Sequence, residues 1–457
     1  MRNRQRKSGG RNPFLPVGWH IPDGEAHVLS DGKLYLYGSC DQNEGQFCST
    51  EYYVAATEDL CSWEMYGPSF DAGQISWPGV SRPHSSLSGV QSFDELPEHI
   101  RSYLPDEAKE IPIEQIVEAI ERAAAQNVPV HRLLYAPDAI EKNGRYYLFF
   151  CCSDDSEGVA VSNHSTGPFQ NPIRLAVSGI DPAVFVDDDG QAYYYWGQFC
   201  AHGAKLSPDM TSILEETIVY DLLTEKKHHF HEGSSVRKRG DTYYYVFTDV
   251  SRGKPTCLGY ATSKSPLGPF TYQGVIIDNA NCDPGSWNNH GCIEKFREQW
   301  YVFYHRSSRN SQYMRRACAE RITFDENGLI PEVRMTSQGA GLPFVCGERI
   351  PGNMACEVSG GSYVVDKKDE RSFVRIRKGG TATFRYIASE RRIQKATLFG
   401  EPETPVRIWM NGRLAGKGNS AQAIDLNVEA GNYEVSIECE KDFFLYDFIL
   451  FDSAENQ

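Results

Sequence analysis

"HHFHEGSSVRKRGDTYYYVFTD" (residues 228–249) places Glu232 eight residues ahead of a glycine turn that opens onto a run of tyrosines. A carboxylate beside a turn is ordinarily a solvated loop residue. The surroundings argue otherwise, because they recur. A turn followed by a tyrosine-rich strand occurs as "SDGKLYLYGS" (30–39), "KNGRYYLFFC" (142–151), "DDGQAYYYWG" (188–197), "KRGDTYYYVF" (238–247) and "FREQWYVFYH" (296–305). Gly32, Gly144, Gly190 and Gly240 mark the first four turns, and Glu298-Gln299 takes that place in the fifth. Asn-Gly and Asp-Gly between alternating apolar residues are hairpin signals.

The intervals between turns are 112, 46, 50 and 58 residues. A second phrase, "SNHSTGPF" (162–169) and "SKSPLGPF" (263–270), closes two of the units. Several short strands per unit at a period near 50 describe propeller blades. The expected fold is all-β: a five-bladed β-propeller over residues 12–340. The long first interval holds an insertion at about residues 73–132. Within it, "IPIEQIVEAIERAAAQ" (111–126) spaces Ile113, Ile116, Val117, Ile120 and Ala124 as a helix, with Pro112 suited to its first turn. Past residue 340 the phrase stops and shorter alternating strands follow. They predict a β-sandwich over 357–457, joined by a linker at 341–356, and the basic residues 1–11 read as a disordered tail.

The chain has 457 residues and a net charge of −15, which argues against nucleic acid or an anionic membrane as partner. No apolar run is long enough to span a bilayer. Thirteen cysteines without a CxxC pair read as free buried thiols in a reducing cytoplasm, not as a zinc site. The 25 tyrosines and 23 phenylalanines suit strands, and exposed aromatics also stack on sugars. Trp196 in the propeller is a sugar-contact candidate. Trp409 and Tyr446 in the sandwich read as core residues before sugar platforms.

The polar residues repeat in phase with the hairpins. Asp23 precedes its turn glycine by nine residues, Asp138 by six, Asp181 by nine and Glu232 by eight, and His290 holds the same phase in the fifth unit. Residues ahead of the hairpin lie on the first strand of a blade, which lines the central channel, so these groups should converge there. Converging carboxylates repel and raise at least one pKa, an arrangement retained mainly for function. Asp181 is the member read as a structural cap. His228, His229 and His231 are read as channel-mouth residues, with His229 and His231 on one face of a strand. Carboxylates without a phosphate loop, dinucleotide fingerprint or Ser/His triad motif point to glycosidic bond hydrolysis, one as acid and one activating water.

With "NPFLP", "PDGEAHV", "YAPDAIEKNGRYYLFF", "GIDPAVFVDDDGQAYYYWG", "FHEGSSVRKRGDTYYYV" and "NNHGCIEKF", residues 12–335 resemble glycoside hydrolase family 43. The resemblance implies an inverting, exo-acting hydrolase that releases arabinofuranosyl, xylosyl or galactofuranosyl residues from oligosaccharides. It makes Asp23 the general base, with Glu25 as rival because the order here is Pro22-Asp23-Gly24. It makes Asp138 the pKa modulator and Glu232 the general acid. His290 becomes a channel histidine that contacts substrate and holds a water or metal ion, and Arg316 a sugar contact, with Arg315 as its alternative. No cofactor is required, and a structural Ca2+ in the channel is the one ion the resemblance allows. The sandwich resembles a family 6 carbohydrate-binding module. A non-catalytic sugar-binding propeller is the alternative function.

Overall fold

The computed structural model describes residues 6–7, 9–77, 87, 90–96, 106–126, 132–368 and 370–453. Each tyrosine-rich phrase forms the second strand of an antiparallel sheet. Blade I comprises Glu25–Val28, Leu34–Gly38, Glu51–Thr57 and Ser62–Asp71, and blade II Asp138–Lys142, Arg145–Cys151, Ser156–Ser162 and Gln170–Ser178. Blade III comprises Ala183–Val186, Ala192–Trp196, Cys200–Lys205 and Val219–Thr224. Blade IV comprises Phe230–Arg239, Thr242–Asp249, Cys257–Ser263 and Thr271–Asp278, and blade V Cys292–Phe296, Gln299–Ser308 and Ser311–Ile322. The five first strands pack in sequence around the axis, the fifth against the first. A parallel bridge between Gly24 and Gly291 joins those two blades.

Blade V obtains its outer edge from the other end of the propeller. Phe14 N–H donates to Ala317 O (3.3 Å), and the Asn12 side chain exchanges two 2.9 Å bonds with the backbone of Ala319. A ring closed this way leaves the sheet no free edge at its seam.

The aromatic strands bury their rings between blades. Tyr35, Tyr37 and Tyr52 of blade I meet Leu148 and Phe150 of blade II, and Tyr195 of blade III meets Tyr245 of blade IV edge-on at 5.4 Å. A buried phenol needs a partner for its hydroxyl. Tyr37 donates to Ser165 O and Tyr195 to Pro266 O, both at 2.8 Å. Ser165 and Pro266 are the fourth residues of the two "GPF" phrases, and each tyrosine is the eighth residue of its own phrase. The two repeats are therefore one device that ties a blade to its successor.

The insertion contains the helix α1 (Ile113–Gln126), which packs Ile116 with Leu87, Leu96 and Ala108 in a small core of its own. The side chain of Ala124, also placed on the apolar face, lies outside the described residues, as do residues 78–86, 88–89, 97–105 and 127–131. The insertion leaves and rejoins the propeller at one spot: Arg132 donates to Trp77 O and to the Asp154 carboxylate, each at 2.8 Å.

The C-terminal domain is a sandwich of two sheets around Val374, Phe384, Ile437, Phe448 and Leu450. The expected linker belongs to it. Phe344–Val345 pairs with Thr381–Ser389, Ile350–Pro351 pairs with Phe443–Asp452, and both Phe344 and Ile350 are core residues. Strands of two residues carry no periodicity, so sequence alone reads them as irregular. The expected tail is also shorter than residues 1–11. Arg6–Lys7 pair with Ser62 and Trp63, while Arg11 binds the Glu348 carboxylate with two nitrogens and lies over Phe344. Residues 1–5 lie outside the described residues. No helix among the described residues is long and apolar enough to cross a membrane.

Candidate active site

Asp23 and Asp181 occupy equivalent places, each just ahead of the first strand of its blade. Both adopt left-handed backbone, with φ of 56° and 55°. Non-glycine residues rarely do so, and such strain clusters where side-chain aim matters. Glu232 is aimed by a different device. The pairing of Phe230–Arg239 with Thr242–Asp249 shifts register on both sides of Glu232. A bulge of this kind re-aims the side chain it carries. Gly233, at φ 74°, is required here, because a Cβ would stand 2.7 Å from Thr248 Oγ1.

His290 stands among these carboxylates, its Nδ1 3.6 Å from Asp181 and 3.9 Å from Asp23. Asp23 is the most heavily held of the three. Arg315 Nη1 donates to its Oδ1 at 2.7 Å, Ser39 Oγ donates to its Oδ2 at 2.5 Å, and His305 Nδ1 lies 3.4 Å away. Arg315 is oriented in turn by Asp41, which accepts from Nε and Nη2 at 2.9 Å each. Glu232 accepts from Gln198 Nε2 at 2.9 Å and from Asn288 Nδ2 at 3.1 Å.

The environments separate the three acids. Burial opposes the charge of Asp23, but Arg315, His305 and His290 outweigh it and hold the carboxyl far below the usual range. Burial, then Glu232 and Asp23, push Asp181 well up, with the Gly233 N–H opposing. Glu232 keeps part of its surface exposed; desolvation raises it, yet His231, the Asn288 and Gln198 amides and His290 draw it down. Two interacting acids titrate as a unit. The free site thus sets an ionised Asp23 beside a coupled Asp181–Glu232 pair, in which Asp181 is pushed up and Glu232 drawn down. Burial pushes His290 down toward the neutral imidazole.

Two sequence-based site assignments are corrected. Asp138 lies apart from this group. Its Oδ1 meets His27 Nε2 at 2.6 Å and the Ala139 N–H at 2.6 Å, and its Oδ2 accepts from the Val184 N–H at 2.7 Å. The residue expected to be a cap is at the site, and the residue expected to modulate the acid is the cap. Arg316 is also displaced. Strand alternation sends Arg315 to Asp23 and Arg316 to the far face, where its Nη1 donates to Asn353 O at 2.8 Å.

Glu25 is removed as a rival base. It is paired with Arg237 (3.0 Å), and burial, opposed by Arg237 and reinforced by Asp138, raises it to about 8. Its Oε2 is engaged by Arg237 and Ser235 and not by the groups that hold Asp23, so it is not placed as the base. Trp196 is 3% exposed and stacked on Tyr194, a core residue with no face to offer a sugar. In the sandwich the correction runs the other way. Trp409 and Tyr446 are half-buried on outward faces, Trp409 donating to Glu438 at 3.0 Å and Tyr446 lying 3.7 Å beneath Arg371.

The three histidines ahead of Glu232 diverge. His228 caps Thr224 N, His229 takes φ 61° and meets Tyr272 edge-on, and His231 pairs with Glu225 at 3.0 Å. They form no metal cluster. Among the described residues, the one group of three such donors within reach of a common ion is Glu25, His27 and Asp138. Ca2+ collects six to eight oxygens. One imidazole and two carboxylates, one of them already on Arg237, do not fit it there; at His290, the residue expected to hold the channel ion, Nδ1 faces Asp181 at 3.6 Å and Asp23 at 3.9 Å. All thirteen cysteines are free.

Ser39, Asp41, Gln198, Asn288 and His305 join the site without belonging to the repeated polar positions, and three of them carry a signal in the sequence. In an antiparallel hairpin the end of the second strand returns beside the start of the first, as Glu232 opposite Thr248 shows. Ser39, Gln198 and His305 stand at or just past the ends of tyrosine-rich phrases, beside the residues that open the same hairpins.

Comparison with known proteins agrees with this geometry. The family model of glycosyl hydrolases family 43 matches residues 112–330. A xylosidase/arabinosidase of Humicola insolens is 32% identical over 364 residues, covering 68% of this chain and 96% of the relative. One from Thermoclostridium stercorarium is 29% identical over 394 residues, covering 76% and 72%. Among solved structures, a β-xylosidase/α-arabinofuranosidase from a compost metagenome, in complex with xylotriose and calcium-free, is 26% identical with a TM-score of 0.53, covering 72% of this chain and 99% of its own. The arabinoxylan arabinofuranohydrolase of Bacillus subtilis, at 20% identity and TM-score 0.52, shares the fold over 97% of this chain and 98% of its own. With the buried Asp23 and Asp181 and the partly exposed Glu232 gathered at the head of a five-bladed propeller and a relative matched over nearly its whole length, the chain belongs to glycosyl hydrolases family 43 and is a glycoside hydrolase.

Proposed function

We propose that the enzyme removes single xylosyl or arabinofuranosyl residues, with galactofuranosyl as a further candidate, from the ends of oligosaccharides with inversion. The observation that carries this reading is the electrostatic separation of Asp23 from the Asp181–Glu232 pair within one site. Asp23, ionised throughout the physiological range, takes a proton from water as that water attacks the anomeric carbon. Glu232 protonates the departing oxygen. The arriving glycosidic oxygen is an acceptor and favours the arrangement with the proton on Glu232 and the charge on Asp181, where the Gly233 N–H donates to it. Arg315 fixes the base and His290 spaces the two acids. Every proton is moved by a side chain of this chain, with no step through a metal ion.

A panel of nitrophenyl glycosides tests the sugar. Product analysis on linear xylan or arabinan tests the mode of attack. The insertion lies between the two blades that carry Asp23 and Asp138, and we assign it to the wall that closes one end of the site. Monosaccharide should appear from the first minutes, and early mixed oligomers would refute exo action.

Asp181 is assigned here as the pKa modulator. Asp181→Asn removes the like charge that holds a proton on the pair, leaving Glu232 with only the neighbours that lower it. The alkaline limb of kcat/KM, which reports loss of the acid's proton, should move toward lower pH by on the order of one unit. An unmoved limb would sink the assignment.

The C-terminal domain is proposed to be of the family 6 carbohydrate-binding type in fold and chiefly a buttress for the propeller. Asp366 of the sandwich is buried among His20, Ser308, Arg309 and Arg316 of the propeller. Burial opposes its charge, but His20 and Arg316 hold it down to about 2. Removing one partner of a buried pair costs about 3–5 kcal/mol. Asp366→Ala should therefore lower Tm by several degrees, and truncation at residue 345 should leave the propeller insoluble or markedly less stable. A soluble truncate with unchanged melting and weakened polysaccharide binding would show a binding role instead.

A further inference from the structure

Both carboxylate oxygens of Asp23 are held, directly or through Arg315, by one loop. The loop, residues 39–50, joins the second and third strands of blade I. Ser39 opens it and donates to Asp23 Oδ2 at 2.5 Å. Two residues on, Asp41 fixes Arg315, the donor to Asp23 Oδ1. It accepts from the Arg315 backbone N–H at 3.0 Å and from Nε and Nη2 at 2.9 Å each. The Cys48 N–H closes the loop on Asp41 Oδ1 at 3.1 Å, and Phe47 lies 4.9 Å beneath the Arg315 guanidinium. What places this loop therefore places the base.

Ser49 bridges the far end of the loop to Leu134. The rest is placed from the sandwich, by two separate contacts. The Asp41 N–H donates to His20 O at 2.9 Å, and the buried His20 ring turns to Asp366 of the sandwich, its Nε2 3.4 Å from Oδ1. Further along, Glu44 accepts from Arg309 Nη1 at 3.1 Å. Arg309 opens the two-residue turn between Ser308 and Ser311 of blade V, where Arg309 and Asn310 both take left-handed backbone, at φ 62° and 53°. That turn is pinned to the sandwich twice, because the Arg309 N–H donates to Val364 O and its Nη2 to Asp366 O, each at 2.7 Å.

The Glu44 side chain is 55% exposed, and a pair so exposed adds little to stability. Its effect is on position. A reacting group displaced by about 1 Å can lose about a hundredfold in rate. We propose that the sandwich takes part in catalysis: His20 and Arg309 are positioning residues that hold the 39–48 loop, and through it Arg315 and Asp23, in the geometry that activates water. The inference rests on the reading of Asp23 as the base and goes beyond a stabilising role for the domain.

Three variants of the full-length enzyme test it. Arg309→Gly removes the side chain from both contacts, while glycine relaxes the left-handed φ and keeps the N–H on Val364, which offsets part of the loss. Asp366→Asn loosens the His20 contact. Each should lower kcat at least tenfold on a disaccharide and a nitrophenyl glycoside alike, with KM within threefold. Glu44→Ala, at an exposed position that folding tolerates, should lower kcat at least threefold in the same pattern. Ile437→Ala, buried in the sandwich core, should lower Tm and leave kcat within twofold. On an Asp23→Asn background, Arg309→Gly should cause no further loss, since no base remains to be positioned. Unchanged kcat in Glu44→Ala or Arg309→Gly, an equal loss in Ile437→Ala, or a tenfold loss that persists on the Asp23→Asn background overturns the proposal. An Asp23→Asn enzyme of full activity would instead remove the reading of the base itself, so the two failures are distinguishable.

Discussion

Glu232→Gln should lose roughly two to four orders of magnitude in kcat on a natural disaccharide, the usual contribution of general acid catalysis. On a nitrophenyl glycoside the loss should be far smaller, because that leaving group departs without a proton. The substitution is close to isosteric: Gln198 donates to Oε2 and Asn288 to Oε1 of Glu232, and the single amide oxygen of the variant still accepts from one of them. The difference between substrates therefore isolates the proton. The same comparison separates Glu232 from its neighbours, since loss of a positioning residue slows both substrates. Steady-state kinetics on the two substrate types checks this, and equal losses on both would remove Glu232 from the acid role.

The propeller was legible because its repeat is dictated by packing. Each blade needs a tight turn and a strand that buries tyrosine between sheets, so the phrase recurs wherever a blade does. The site was legible to the extent that it shares that repeat. Asp23 and Asp181 both stand nine residues ahead of their turn glycines and both arrive at the site with the same left-handed backbone. Asp138 stands only six ahead, three residues further along its first strand, and that offset carries it down the channel to His27 and Glu25. The nine-residue spacing therefore separates the two aspartates that reach the site from the one that does not.

Other features could not be read from one chain. Arg315 and Arg316 are chemically identical neighbours, and only the register of Ser311–Ile322 against Gln299–Ser308 decides which of them faces the base. Asp41 sits in a loop outside every repeat, and its pairing with Arg315 spans 274 residues. The segments that dock the two domains are two-residue strands whose partners lie far away in sequence. Long-range pairing of that kind leaves no periodic trace.

Asp23 offers the second large effect, and its backbone makes the test unusually clean. Asp23→Asn keeps the shape of the side chain and removes the base, so both the disaccharide and the nitrophenyl glycoside should slow by roughly two to four orders of magnitude alike. Asp23→Gly goes further. At φ 56° an aspartate is strained and a glycine is at ease, which offsets part of the cost of losing the buried pair with Arg315, and the substitution empties the space beside that guanidinium. Arg315 stays oriented by Asp41 and presents Nη1 to that space. Formate fits the chemistry of the vacancy, a small carboxylate accepting from the same guanidinium, and it can take the proton from the attacking water. Added formate should therefore raise the rate of Asp23→Gly by at least tenfold and leave Asp23→Asn, whose amide fills the space, unchanged. The sugar released by the rescued enzyme should keep the inverted anomeric configuration, read by proton NMR before mutarotation, because water still attacks opposite the leaving group in a single displacement. A retained product, or formate rescue of both variants alike, would mean that Asp23 is not the residue that activates water.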